Sequence, residues 1–102
     1  MRKTGRPQKI RYIQNSPKIT QFSPRGKPGR PEEIELALDE FEALKLSDLE
    51  GLDQREAAQR MGVSRPSFGR ILRKARTILA DALVNGKIIR IIGGNIMLKE
   101  SK

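Results

Sequence analysis

The sequence predicts a mainly α fold: a helix-turn-helix three-helix core, a short β element (a strand near 34–38 and a strand or hairpin near 87–98) and an extended basic N-terminal arm. Three observations lead there. Capping residues and glycines recur at helix-length intervals between Asp39 and Gly86. The apolar positions of the longest segment fall on one helical face. Five of the six prolines, Pro7, Pro17, Pro24, Pro28 and Pro31, lie in the first 31 residues. That stretch shows no sustained periodicity and reads as extended or disordered. The divisions expected are 1–31 for the arm, 32–98 for the domain and 99–102 for a tail. A chain of 102 residues has room for one domain, and with 4% aromatics its core is small and aliphatic.

From Glu33 onward Ile34, Leu36 and Leu38 alternate with Glu35 and Ala37, the period of a half-buried strand. Asp39 and Glu42 form a helix-start signal, Leu38 is placed to staple it, and Gly51 supplies a stop, which predicts a helix over 40–50. Its Phe41, Leu44, Leu46 and Leu49 do not share one stripe, so this helix touches more than one neighbour or a second subunit. Asp53 and Glu56 repeat the capping pattern and open a second helix that runs to Met61, where Gly62 ends it. Ser64 caps a third, with Pro66 in its first turn. This helix runs to about Val84 and stops at Asn85-Gly86. The tail from Lys87 to Leu98 is rich in β-branched residues around Gly93-Gly94 and is expected as a strand or hairpin paired with Ile34–Leu38 of the same chain or a twin.

The net charge of +9 arrives in blocks: +9 over residues 1–30, −8 over 31–53 and +7 over 54–92. Two basic surfaces suit a polyanionic partner, since each neutralised phosphate releases condensed counterions. The chain has no Cys and no His, which removes disulfides, thiolate and imidazole chemistry and the usual zinc sites. No metal, cofactor or enzymatic activity is expected. No apolar run reaches the roughly 18 residues of a membrane span and no signal-peptide stretch opens the chain, so a cytoplasmic location is expected. Glu32, Glu33, Glu35, Asp39, Glu40, Glu42, Asp48 and Glu50 read as caps, partners of helix dipoles and a solvated face that points away from phosphates.

The segment Gln54–Ile71 meets the constraints of a helix-turn-helix position by position. Ala58 is its fifth residue, where two helices cross too closely for a larger side chain. Gly62 is its ninth, where the turn favours a left-handed backbone. Ala57, Met61, Val63, Phe68 and Ile71 supply the inward set. On a wheel of about 100° per residue, Phe68, Ile71, Leu72, Ala75, Ile78, Leu79 and Ala82 gather on one side of the third helix. Arg65, Gly69, Arg70, Arg73, Arg76 and Thr77 take the other. A helix fits the major groove, and the planar guanidinium fork pairs bidentately with guanine or phosphate. Arg65, Ser67, Gly69, Arg70 and Arg73 are the candidates for base edges, Lys74 and Arg76 suit phosphates, and Ser64 at the helix start is counted among the DNA-binding residues. Gly69, costing about 1 kcal/mol relative to Ala mid-helix, either allows close approach to bases or avoids an internal clash. In the arm, Arg2, Lys3, Arg6, Lys9, Arg11, Arg25, Lys27 and Arg30 are candidates for phosphates or a minor groove; Gly5-Arg6-Pro7 and Gly29-Arg30-Pro31 resemble minor-groove elements of recombinase arms and AT-hooks.

The strings LDEFEALKL from Leu38, DLEGL from Asp48, EAAQRMGVSRPSFGRIL from Glu56, ADALVNGK from Ala80 and IGGN from Ile92 carry a resemblance to the small bacterial and archaeal predicted DNA-binding proteins filed as domain of unknown function 134. It covers Phe22 to Asn95, about three quarters of the chain. The resemblance implies a helix-turn-helix similar to region four of sigma factors and a role in transcription. Relatives often carry cysteines in the basic N-terminal stretch, and this chain has none. The expectation is a sequence-specific regulator of double-stranded DNA acting as a homodimer, with an accessory recombinase-like or sigma-like recruitment module as the alternative. RNA binding is disfavoured because Tyr12, Phe22, Phe41 and Phe68 are too few for stacking platforms.

Overall fold

The computed structural model describes residues 10–26 and 29–98; the expectations for Arg2, Lys3, Arg6, Lys9, Lys27 and the 99–102 tail lie outside them. The described residues form three helices and short strands in the order β1 (Arg11–Ile13), β2 (Gln21–Phe22), β3 (Glu33–Leu36), α1 (Leu38–Leu44), α2 (Gln54–Met61), α3 (Arg65–Asn85), β4 (Ile88–Ile91) and β5 (Ile96–Leu98).

Local signals set the ends of α2 and α3. The Asp53 carboxylate accepts the Glu56 N–H at 2.8 Å and the Ser64 hydroxyl accepts the Ser67 N–H at 3.2 Å, each cap contributing about 1 kcal/mol. Gly62 and Gly86 close the two helices. The inward side of α3 is the apolar stripe: Phe68, Ile71, Leu72, Ala75 and Ala82 are buried.

Helix α1 starts earlier than its acids suggest. The Glu40 carboxylate reaches back to the Ala37 N–H at 2.8 Å and the Leu38 N–H donates to the Gly93 carbonyl at 3.0 Å, so the first turn closes before Asp39. Leu38 thus belongs to the helix, and the strand ends at Leu36. Beyond Leu44 the chain widens into a π-type turn over Lys45–Leu49, closed by the Glu50 N–H on the Lys45 carbonyl. The extra residue per turn sends Leu46 inward and leaves Leu49 exposed, which is why the apolar positions of 40–50 share no stripe.

Two apolar clusters result. One joins Ala43 and Leu46 to Ala57, Ala58, Met61, Phe68, Ile71 and Leu72. The other joins Leu36, Ile89 and Ile91 to Ala75 and Ala82 of α3. Leu44 packs against both, so α1 links them.

The tail is not a hairpin. β4 is the central strand of a three-stranded sheet, parallel to β3 with Ile34 opposite Ile89 and antiparallel to β2, while β5 leaves to pair with β1 in parallel. The hydrogen bond from Leu38 to Gly93 holds the Gly-Gly segment against α1 and separates the two strands. The pairing with the 34–38 segment is within the same chain. Nor is the whole of residues 1–31 an arm: β1 and β2 lie within it, and Ile13 is 1% exposed. An apolar β5 needs an edge partner, and Arg11–Ile13 supplies it.

Candidate nucleic-acid interface

The turn between α2 and α3 is held from both sides. Gly62 has φ +71°, and a β-carbon there would lie 2.9 Å from Cδ2 of the Tyr12 ring, which β1 places over the turn. Ala58 is buried where α2 and α3 cross.

Beyond the turn, the first two turns of α3 carry a small hydrogen-bond chain. Ser64 Oγ donates to Ser67 Oγ at 3.1 Å, and the Arg70 guanidinium donates to the same Ser67 oxygen at 3.1 Å. The bond places the Arg70 head group over the helix start. Arg65, Gly69, Arg70 and Arg73 line one shallow depression with Gln54 and Pro66. Arg55 and Arg65 border a neighbouring one. The positive end of the α3 dipole adds to these charges. Gly69 faces the depression with room to spare: a β-carbon would meet only Gln54 Oε1, at 3.6 Å, an ordinary contact. No internal clash requires this glycine.

Charge pairing sorts the cations. Arg76 donates to both oxygens of Asp48, at 2.7 and 3.1 Å; these hydrogen bonds hold the Asp48 carboxyl below its ordinary range and push the Arg76 guanidinium up. Arg60 pairs with Glu56 at 3.3 Å, Arg11 with Asp39 at 3.2 Å, and Arg90 with Glu33 at 3.5 Å. Lys87 lies 2.9 Å from Asp81, and their hydrogen bond lowers the carboxyl and raises the ammonium. Lys74 sits 3.8 Å from Glu40 but is 71% exposed. Among the described residues, no carboxylate lies within ion-pairing distance of Arg65, Arg70 or Arg73.

Three of the acids depart from the solvated face expected of them, although Asp39 and Glu40 occupy the first turn of α1 and Glu40 bonds the Ala37 N–H as a capping residue. Asp39, Glu40 and Glu42 are buried, drawn inward by Arg11, Lys74 and Lys45. Burial pushes the Glu42 carboxyl up, with the Lys45 charge opposing.

Ser64, Arg65, Ser67, Gly69, Arg70 and Arg73 come together on one surface, whereas Arg76 is committed to Asp48. The arm candidates scatter. Arg11 begins β1 and lines a depression with Arg70 and Lys74. Arg25 is exposed between β2 and β3. Arg30 lines a groove with Asn85 and Lys87, about 30 Å along α3 from Arg65. Gln54, Arg55 and Tyr12 were not singled out from the sequence. The place of Gln54 and Arg55 in the first turn of α2 was a usable signal, whereas nothing local marks Tyr12.

Among the described residues no group of three or more acids could hold a metal ion, and no helix is long and apolar enough to cross a membrane. Residues 1–99 match the family described as protein of unknown function DUF134. The UPF0251 protein of Thermoanaerobacter sp. strain X514 is 49% identical over 98 residues, covering 95% of this chain and 87% of the relative. That of Prosthecochloris aestuarii is 48% identical over 101 residues, covering 98% of this chain and 65% of the relative. That of Desulforudis audaxviator is 53% identical over 92 residues, covering 89% and 60%. No solved structure matches. With 99 of its residues matched and relatives at about half identity, the chain belongs to the DUF134 family.

Proposed function

We propose that this chain is a sequence-specific double-stranded DNA-binding protein and a regulator of transcription, in which α2, the Gly62 turn and α3 act as a helix-turn-helix like that of sigma factor region four. The observation that carries the reading is the α3 start: Arg65, Arg70 and Arg73, with no acid of their own among the described residues, set around a glycine that no described neighbour requires. In the major groove, Gly69 lets the helix backbone approach the base edges. Arg70, held by Ser67, offers its fork to guanine O6 and N7. Arg65 and Arg73 flank it toward bases or phosphates, and Gln54 and Arg55 stand where α2 meets the backbone. Arg2, Lys3, Arg6 and Lys9 precede a strand that begins beside Arg70, which suits sequence-independent phosphate contacts.

The test is selection of bound fragments from random duplexes, followed by titration of wild type and Arg70→Ala against selected and scrambled duplexes, single strands and structured RNA. Arg70→Ala should cost roughly 1 to 3 kcal/mol on the selected site and flatten the base preference at one position. Equal losses on both duplexes, or stronger binding to RNA, overturns the reading.

A further inference from the structure

Helix α3 changes chemistry along one side. At about 100° per residue, Leu83 lies within about 20° of Arg76, and Ala80 and Val84 within about 20° of Arg73. The side that carries arginines in the first half therefore carries apolar residues in the last two turns. Leu83 is 72% exposed and Val84 81%. Leu83 borders an apolar groove of about 580 Å³ together with Leu49 and Phe22, and Phe41, Leu79 and Ile89 line its interior. Leu49 is 80% exposed and Phe22 51%. The strands at 33–36 and 88–91 pair within the chain, and this groove and the adjoining end of α3 hold Leu49, Leu83 and Val84, the most exposed large hydrophobics among the described residues. In residues 1–9, 27–28 and 99–102, Met1 is the only long apolar side chain.

We propose that a second copy of this chain covers this surface, with α3 meeting α3 near Leu83 about a twofold axis. Area and spacing both favour that occupant. Four exposed side chains at about 100 Å² each bring two copies close to the roughly 1,000 Å² of a biological interface once a polar rim is added. Leu83 lies thirteen residues beyond Arg70, about 20 Å along the helix. A twofold axis there sets the two Arg70 side chains up to about 40 Å apart if the helices are collinear, and about 34 Å apart if each is inclined by about 30°. The latter is the spacing of half-sites one DNA turn apart. The spacing argument rests on the DNA reading proposed above; the apolar surface does not.

The test uses the full chain and the variant Leu83→Gln/Val84→Gln, whose positions are exposed, so the core is left intact. Wild type should sediment as a dimer at about 50 µM, where a micromolar dissociation constant keeps the dimer dominant. The variant should dissociate at least about tenfold more readily with an unchanged far-UV circular dichroism spectrum, while its melting temperature falls only by the stability that dimerisation contributes. It should bind a single half-site like wild type and lose the preference for two half-sites one turn apart. A wild type that is monomeric both free and on a duplex with two half-sites overturns the proposal, as does a variant with the wild-type dimer constant. If the variant breaks a dimer that shows no duplex preference, the interface stands and the DNA reading falls.

Discussion

Gly62 and Gly69 lie seven residues apart on either side of the start of α3, and the fold accounts for only one of them. At Gly62 the backbone is left-handed and a β-carbon would sit 2.9 Å from the Tyr12 ring. At Gly69 the backbone is helical and a β-carbon would make an ordinary 3.6 Å contact with Gln54. A glycine inside a helix costs about 1 kcal/mol relative to alanine, and nothing among the described residues offsets that at Gly69. The arginines divide the same way. Arg76 is satisfied by Asp48, whereas Arg70 has a serine hydroxyl and no acid. Features explained from inside mark the scaffold, and features left unexplained on a common surface mark where the proposed partner would dock.

The largest effect belongs to the internally required glycine. Gly62→Val combines left-handed strain with a clash against Tyr12 and should lower stability by about 3 kcal/mol or more, abolishing binding as the turn distorts. Adding Tyr12→Ala should recover the steric part and leave the backbone part. A melting temperature unchanged by Gly62→Val would mean that the turn is not held as described, and the contrast between the two glycines would dissolve.

What could be read from the sequence follows the same inside and outside division, but by range. The bounds of α2 and α3 were legible because their causes are local: Asp53 and Ser64 cap, Gly62 and Gly86 stop, and an apolar period runs between. The grouping of Arg65, Gly69, Arg70 and Arg73 came from the same helical period, and Ser67 from its place in the helix-turn-helix motif. Strands β1 and β2 were not legible, since three and two residues form strands only because β5 and β4 arrive from far along the chain. The tail read as a strand or hairpin because Gly93-Gly94 looks like a turn, yet the Gly93 carbonyl is taken by Leu38. Asp39, Glu40 and Glu42 read as caps, dipole partners and a solvated face; their burial was not legible because Arg11 and Lys74 reach Asp39 and Glu40 only through the fold. Tyr12, which closes the turn, was hidden for the same reason.

Gly69→Ala carries the middle-sized effect and should move two readouts in opposite directions. It should raise stability by about 1 kcal/mol, because the added methyl makes only an ordinary contact with Gln54. It should weaken binding to the selected duplex at least about fivefold, or about 1 kcal/mol, because the methyl stands between the helix backbone and the bases. Thermal unfolding and duplex titration of the same preparation check both. Higher stability with unchanged affinity would mean that α3 docks on another side. Lower stability would place Gly69 with Gly62 among the internally required positions.

The smallest effect sharpens the arginine half of the contrast by turning a satisfied cation into an open one. The hydrogen bonds from Arg76 hold the Asp48 carboxyl below its ordinary range. A depressed acid of this kind contributes stability that is fully present above its unfolded value, about 3.9, and is lost as pH falls through the folded one. The two side chains are 55% and 40% exposed, so at pH 7 Asp48→Asn should cost less than about 1 kcal/mol of stability. It releases Arg76, one and a half turns beyond Arg70 on the outward side of α3, to a phosphate. The slope of log affinity against log salt should then steepen by about 0.9. Arg76→Ala should leave the wild-type slope unchanged and remove the added slope in the Asp48→Asn background. If Arg76→Ala instead makes the wild-type slope shallower by about 0.9, the Asp48 pair opens on binding. Arg76 then belongs with Arg65, Arg70 and Arg73, and pairing within the free chain does not decide which cations meet the partner.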